Sequence, residues 1–135
     1  MIMEITSPGG VRIEARYKGH TVATDQPVKA GGEDSAPAPF DLFLASIGTC
    51  AGYYAFQFCR QRDLSTDGLA VTLEPVHDPE RHRVARIRIE VRLPATFPDK
   101  YRPAILRAID QCAVKRHILE PPEFEVVVQG TTMAT

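Results

Sequence analysis

Three cysteines, Cys50, Cys59 and Cys112, are the residues of this chain best suited to chemistry. A thiolate attacks electrophiles, and two thiols that meet can store and release oxidation as a disulfide. Cys50 and Cys59 lie nine residues apart in what reads as one helix. At about 100° per residue they point in nearly opposite directions and cannot pair within it. Cys112 falls in a different element, on an apolar stripe at helical spacing with Tyr101, Ile105, Ala108 and Ile109. If that stripe packs on the first helix, Cys50 and Cys112 are the only intramolecular pair expected to meet. Spacing alone stops at a possible dithiol, because an unpaired cysteine commonly behaves as a small buried hydrophobe.

An odd cysteine count argues against a disulfide framework. The start, MIMEITSPGG, has neither a basic segment nor a long apolar run, so no signal peptide and a cytoplasmic location are expected. His20, His77, His82 and His117 are scattered, and no CxxC or HxxxH pair sets two ligands on one surface, so neither metal nor other cofactor is expected. A net charge of −1, without basic runs interleaved with aromatics, gives no support for a nucleic-acid partner. Residues 42–59 carry no charge and are long enough to span a bilayer. They also contain Ser46, Gly48, Thr49, Gly52, Tyr53, Tyr54 and Gln57, which suit close packing inside a protein. A buried helix and no membrane association are expected.

The elements that must position the thiols follow from periodicity. Val11, Ile13, Ala15 and Tyr17 alternate with Arg12, Glu14 and Arg16, which predicts a half-buried strand. Lys18-Gly19 reads as a turn and residues 20–24 as the returning strand. Residues 25–39 are dense in Pro, Gly, Ala and acids, and a loop of that length in a small domain points to function or to an interface. Pro39 suits the first position of a helix, with Asp41 in its first turn, and the helix is expected to run to about Arg62. Strands are expected over residues 69–76 and 85–93. A second helix is expected from about Asp99, kinked near Cys112 and continuing over 114–119, and a last strand over 124–128. Strands and two long helices without a linker predict a single α+β domain over residues 1–135.

The run 38–50, APFDLFLASIGTC, resembles the first-helix motif of the OsmC/Ohr family of osmotically induced and organic hydroperoxide resistance proteins. Gly31-Gly32 and the later run 108–114, AIDQCAV, are similar to the family's Gly-rich loop and second-Cys motif. The resemblance implies an antiparallel sheet wrapped around two central helices, in an intertwined homodimer with active sites at the subunit interface. It implies that Cys50 is the peroxidatic nucleophile and that Cys112 resolves its sulfenic acid, with a lipoyl or thioredoxin-like dithiol as reductant.

Two departures matter. In the family's peroxidases the acid directly follows the Pro, whereas Phe40 stands there and Asp41 comes one residue later, as in the OsmC-like branch. Asp41 is therefore either a partner for a catalytic cation or simply an acid that complements the helix dipole. The activating cation of the peroxidases comes from before the first helix, where Arg12, Arg16 and Lys29 are candidates. Phe43, Ile47 and Tyr54 predict an apolar pocket and so an organic hydroperoxide as substrate. Cys59 reads as packing and His117 as a surface or capping residue. The alternatives are a small-molecule-binding protein using the same cleft and a structural dimer with unreactive thiols.

Overall fold

The first sheet is a three-stranded antiparallel meander of β1 (Glu4–Gly9), β2 (Arg12–Tyr17) and β3 (His20–Thr24) in that order. The computed structural model describes residues 1–134. The β2–β3 register runs from Ile13↔Thr24 to Tyr17↔His20. Its two-residue turn puts Lys18 at φ 47° and Gly19 at φ 78°, the doubly left-handed geometry that matches the twist of a tight hairpin. The rings of Tyr17 and His20 close the hairpin with centroids 5.5 Å apart. Sequence reasoning misses β1, because Ser7-Pro8-Gly9 carries turn chemistry. The strand tolerates it as a sheet edge whose pairing with β2 is irregular between Thr6 and Gly9.

The chain divides into two compact units, residues Met1–Ser46 and Ile47–Thr135, with helix α1 (Pro39–Gln61) contributing to both. Between β3 and α1, a 3-10 turn at Val28–Ala30 interrupts the loop. The second unit holds the rest of α1, then β4 (Ala70–Asp78), β5 (Arg83–Arg92), α2 (Arg102–Ile109), α3 (Ala113–Leu119), β6 (Glu125–Val128) and β7 (Thr131–Ala134). A 3-10 turn at Asp99–Tyr101 leads into α2.

Among the described residues there are three separate antiparallel sheets, β1-β2-β3, β4-β5 and β6-β7, and three helices. The class is α+β with antiparallel sheets, as expected. Among the described residues the strands form three sheets rather than the single one expected. Each ribbon closes locally through a short turn, and the second expected helix is broken at Asp110-Gln111-Cys112.

By length and composition α1 could cross a membrane. Instead its stripe Ile47, Ala51, Ala55, Phe58 and Cys59, spaced by about one turn, is buried. Ala51, Ala55, Phe58 and Cys59 share a core with Leu69, Phe97, Ile105 and Ile109. Inward residues of the long β4–β5 ribbon, such as Val71 paired with Val91, pack against the same core. Ile105 is 1% exposed, and burying a side chain of that size stabilises the fold by about 2 kcal/mol. At its C-terminal end α1 gives way through Asp63 at φ 52°, a left-handed position that Asp tolerates better than most residues. Arg62 folds back there, its guanidinium 3.7 Å from the Phe58 ring centroid and donating to the Phe58 carbonyl at 3.2 Å.

Candidate active site at a cysteine pair

Cys50 sits inside the hydrogen-bonded run of α1, partly exposed, while Cys112 is 2% exposed. Cys112 is not on a helical stripe. With φ −52° and ψ 118° it leaves the helical region and becomes the N-cap of α3, its Sγ accepting from the Lys115 backbone N–H at 3.4 Å. The apolar spacing of residues 101–112 continues numerically through the break, and the kink expected near Cys112 is a full change from one helix to the next. Its carbonyl also receives the first α3 bond, from Arg116 N at 3.1 Å.

The two sulfurs meet. Cys50 and Cys112 are within hydrogen-bonding reach of each other, and the backbone N–H groups of Ala113 and Val114 bear on the Cys50 sulfur. Burial raises the pKa of Cys50, but the hydrogen bond from Cys112, the two backbone donors and the Arg116 guanidinium together outweigh it and leave the thiol below its ordinary value. Cys112 moves the opposite way. Burial pushes it up most, the Lys115 N–H pulls it down, and the hydrogen bond to Cys50 and the charge of a Cys50 thiolate push it up again, with a smaller downward pull from the Val114 N–H. The pair is one polarised unit: a partly exposed thiol moved down and a buried one moved up.

Beside Cys112 opens a cleft of about 470 Å³. Its walls are mostly apolar, with Ile47 and Ala51 from α1, Ile87 and Ile89 from β5, Leu106 from α2 and Ile118 from α3. Its polar lining comes from Asp110 and Lys115, which form an ion pair with each other. Of the side chains expected to line an apolar pocket, Ile47 does so. Tyr54 instead borders a separate, polar depression with Gln57, Arg62 and Arg107. Phe43 is in the first unit, 5.3 Å from the Phe40 ring.

The other charged candidates are held within the first unit. Asp41 is the third residue of α1, and its carboxylate accepts from the Ala38 backbone N–H at 3.3 Å, fixing the helix start as a reverse cap. Arg16 pairs with Glu14 at 3.2 Å on the β2 surface. Lys29 is exposed in the 3-10 turn at Val28–Ala30, and Arg12 borders a shallow depression with Gly31 and Gly32. Cys59 is fully buried in the core. Burial raises its thiol against the pull of Arg62. His117 bonds the Ala113 carbonyl at 2.7 Å within α3. Among the described residues no group of three His, Cys, Asp or Glu side chains could hold a metal ion.

Two features carry no sequence signal as site elements. Arg116 is one more cation on a short basic helix, and only the α3 cap brings it to bear on Cys50. Asp25 is an acid in a loop. It is 1% exposed, and its carboxylate accepts from the N–H groups of Gln26 (2.8 Å), Glu33 (3.2 Å) and Ser35 (3.0 Å) and from the Ser35 hydroxyl (2.6 Å). The Ser35 hydroxyl, with the Ser35, Gln26 and Glu33 N–H groups, lowers this carboxyl to about 2 against the cost of burial. Asp25 N also donates to the Pro37 carbonyl at 3.2 Å, tying both ends of the loop that leads into α1.

Comparison with known proteins places the fold. A structure from Psychrobacter arcticus, of a protein named for osmotic stress induction and detoxification, superposes with a TM-score of 0.71 at 22% identity. It covers 84% of this chain and 85% of its own. The organic hydroperoxide resistance protein OsmC of Legionella pneumophila superposes with a TM-score of 0.52 at 16% identity, covering 87% of this chain and 89% of its own. An organic hydroperoxide resistance protein of Vibrio cholerae, with captopril bound in one of its active sites, gives 0.52 at 15% identity over 98% and 94% of the two chains. No curated protein sequence matches. The sequence pattern of the family described as OsmC-like protein matches residues 32–127, a span that takes in the end of the loop before α1, all of α1 and both members of the thiol pair. The chain belongs to the OsmC-like protein family.

Proposed function

We propose that this chain is a thiol-dependent reductase of organic hydroperoxides, residues 1–135 acting as one domain, with Cys50 as nucleophile and Cys112 as resolver. The single observation that carries the reading is that a partly exposed Cys50 and a buried Cys112 come together as a pair. The partly exposed Cys50 is lowered and the buried Cys112 raised. The Cys50 thiolate attacks the terminal oxygen of the hydroperoxide, the O–O bond breaks, and the alkoxide leaves with a proton as alcohol. Cys50 is then a sulfenic acid. The Cys112 sulfur attacks it, an S–S bond forms, and hydroxide departs with the Cys112 proton as water. A lipoyl or thioredoxin-like dithiol restores the two thiols by exchange.

The apolar cleft favours an organic substrate over hydrogen peroxide. In this reading Arg116 supplies the cation at Cys50. Asp41, already engaged at the helix start, serves by fixing the entry of α1. Lys29 and Arg16 are the first-unit cations left to variant tests. A cytoplasmic, reducing compartment suits an enzyme that must be re-reduced at every turnover.

Association as a homodimer is part of the proposal. Val126, Val127 and Val128 of β6 are each more than half exposed, as are Leu106, Leu119 and Tyr53. Apolar surface of that extent favours a partner, and the same sequence is the simplest one. The deciding experiment is consumption of an alkyl hydroperoxide and of hydrogen peroxide, each with dithiothreitol, dihydrolipoamide or reduced thioredoxin as donor. Turnover of the alkyl substrate above that of hydrogen peroxide is expected. No turnover with any donor, with retained binding of an alkyl ligand, would favour the second reading, a binding protein using the same cleft.

A further inference from the structure

The resolving thiol has a structural duty that the peroxidase chemistry does not require. Cys112 Sγ accepts from Lys115 N at 3.4 Å and so caps α3. Two α3 residues, Lys115 and Ile118, form part of the cleft wall, and Lys115 is further tied to Asp110 across the turn that holds Cys112. α3 itself is short, with seven residues, and none of them is buried. A helix of two turns has little stability of its own, so its cap contributes a large share of what keeps it formed.

We propose that Cys112 is a redox-sensitive latch: as a thiol it holds α3 and its side of the cleft in place, and on oxidation to a disulfide with Cys50 it releases them. Closing an S–S bond draws the sulfurs from hydrogen-bond contact to about 2.05 Å. Cys50 lies within the continuous backbone ladder of α1, whereas Cys112 lies in a turn between two short helices. The displacement therefore falls on Cys112, and Sγ turns away from the Lys115 N–H. A disulfide sulfur is also a poorer acceptor than a thiol polarised by a neighbouring thiolate. The wall loosens at the moment when the alcohol product must leave, and it re-forms when a dithiol restores the cap. The oxidation limb rests on the pairing of Cys50 with Cys112 proposed above, but the capping limb does not.

The test is hydrogen exchange, resolved by residue, on the full-length protein. Reduced wild type is compared with wild type oxidised by diamide, a diazene that takes two hydrogens from two thiols and needs no peroxide turnover. Loss of a typical N-cap costs about a factor of five in local stability. Protection at Lys115 and Arg116 is expected to fall by about that factor on oxidation and to return with dithiothreitol. Reduced Cys112→Ala should show the same fall. Cys112→Ser, whose hydroxyl can cap but cannot form a disulfide, should keep its protection with or without diamide. Unchanged α3 protection in both the oxidised wild type and Cys112→Ala would overturn the proposal. If diamide forms no Cys50–Cys112 disulfide, the redox limb and the peroxidase pairing fall together, and Cys112→Ala against Cys112→Ser decides the cap alone. If the disulfide forms and α3 loosens in a protein that consumes no peroxide, the latch stands and only the enzymatic reading is lost.

Discussion

The Lys115 backbone N–H donates to Cys112 Sγ, and Cys112 in turn lies within hydrogen-bonding reach of Cys50, so that a helix start and a second thiol are joined through one sulfur. The joint explains why the two thiols differ in acidity although both begin from the same ordinary value and both are partly or fully shielded.

The first prediction is an asymmetry between serine variants. Cys50→Ser should abolish peroxide consumption, since it removes the lowered thiol. Cys112→Ser should keep the first attack and lose multiple turnover with dithiols, and excess peroxide should drive its Cys50 to sulfinic and sulfonic acid. Intact mass separates the cases. Wild type should lose two hydrogens under mild peroxide, and Cys112→Ser should gain oxygens. Identical behaviour of the two variants would refute the assignment of roles.

A second prediction concerns pH. The thiolate is the reactive form, and a lowered Cys50 is ionised at a lower pH than Cys112 or Cys59. Alkylation followed by peptide mapping should therefore label Cys50 first as pH rises, with its inflection below that of a free thiol. Arg116→Gln should slow Cys50 alkylation near neutral pH by no more than about fivefold, because an exposed charge is screened. The difference should shrink at high salt and vanish once the pH is high enough to ionise the thiol in both proteins.

The third prediction isolates Cys59. It is fully buried on the stripe of α1 that meets Leu69 and Ile105, and it is the thiol with no part in the pair. Cys59→Ala should leave any turnover within a few-fold of wild type and cost about 1 kcal/mol of stability from lost packing. A loss of activity as deep as that of Cys50→Ser would mean that the helical phase assigned to α1 is wrong.

The fourth prediction is the acid limb of stability. Asp25 is depressed in the folded chain, from an ordinary 3.8 to about 2. A depressed carboxyl stabilises the fold above its unfolded value, and the contribution is lost as pH falls through the folded one. Asp25→Asn should thus lower the unfolding midpoint at neutral pH, with the gap to wild type closing between 3.8 and about 2. Gly32→Ala should be worse than neutral at any pH, since its Cβ would lie 2.0 Å from the Gln26 carbonyl oxygen. Overpacking against backbone of that kind costs about 3 kcal/mol or more.

The parts of the fold legible in the sequence are those where one face repeats. Arg12–Tyr17, Arg83–Arg92 and the long apolar helix from Pro39 all announce themselves by period. What escapes is governed by single contacts. Ser7-Pro8-Gly9 looks like a turn but pairs as an edge. A kink near Cys112 is expected, but not that its ψ of 118° makes Cys112 itself the N-cap of the next helix. Asp25 binds three backbone N–H groups, donors that every residue has and that no sequence pattern can distinguish. The thiol pair and an asymmetry between its members were within reach, but not the donors from Ala113 and Val114, which exist only once the chain has turned at Cys112.

The loop gathered by Asp25 has a further consequence for how the chain is digested. By composition, residues 25–37 are a natural target for proteases, and exposed segments of this kind are where nicking concentrates. A protease must draw an extended strand of substrate into its cleft, and here the Asp25 carboxylate and the Asp25–Pro37 bond hold the backbone folded at both ends. Cleavage at neutral pH should therefore require this small cluster to open first, so susceptibility there measures its opening rather than its exposure. An acid protease working near pH 2 meets the same loop with its central carboxylate half protonated. It should cut there first.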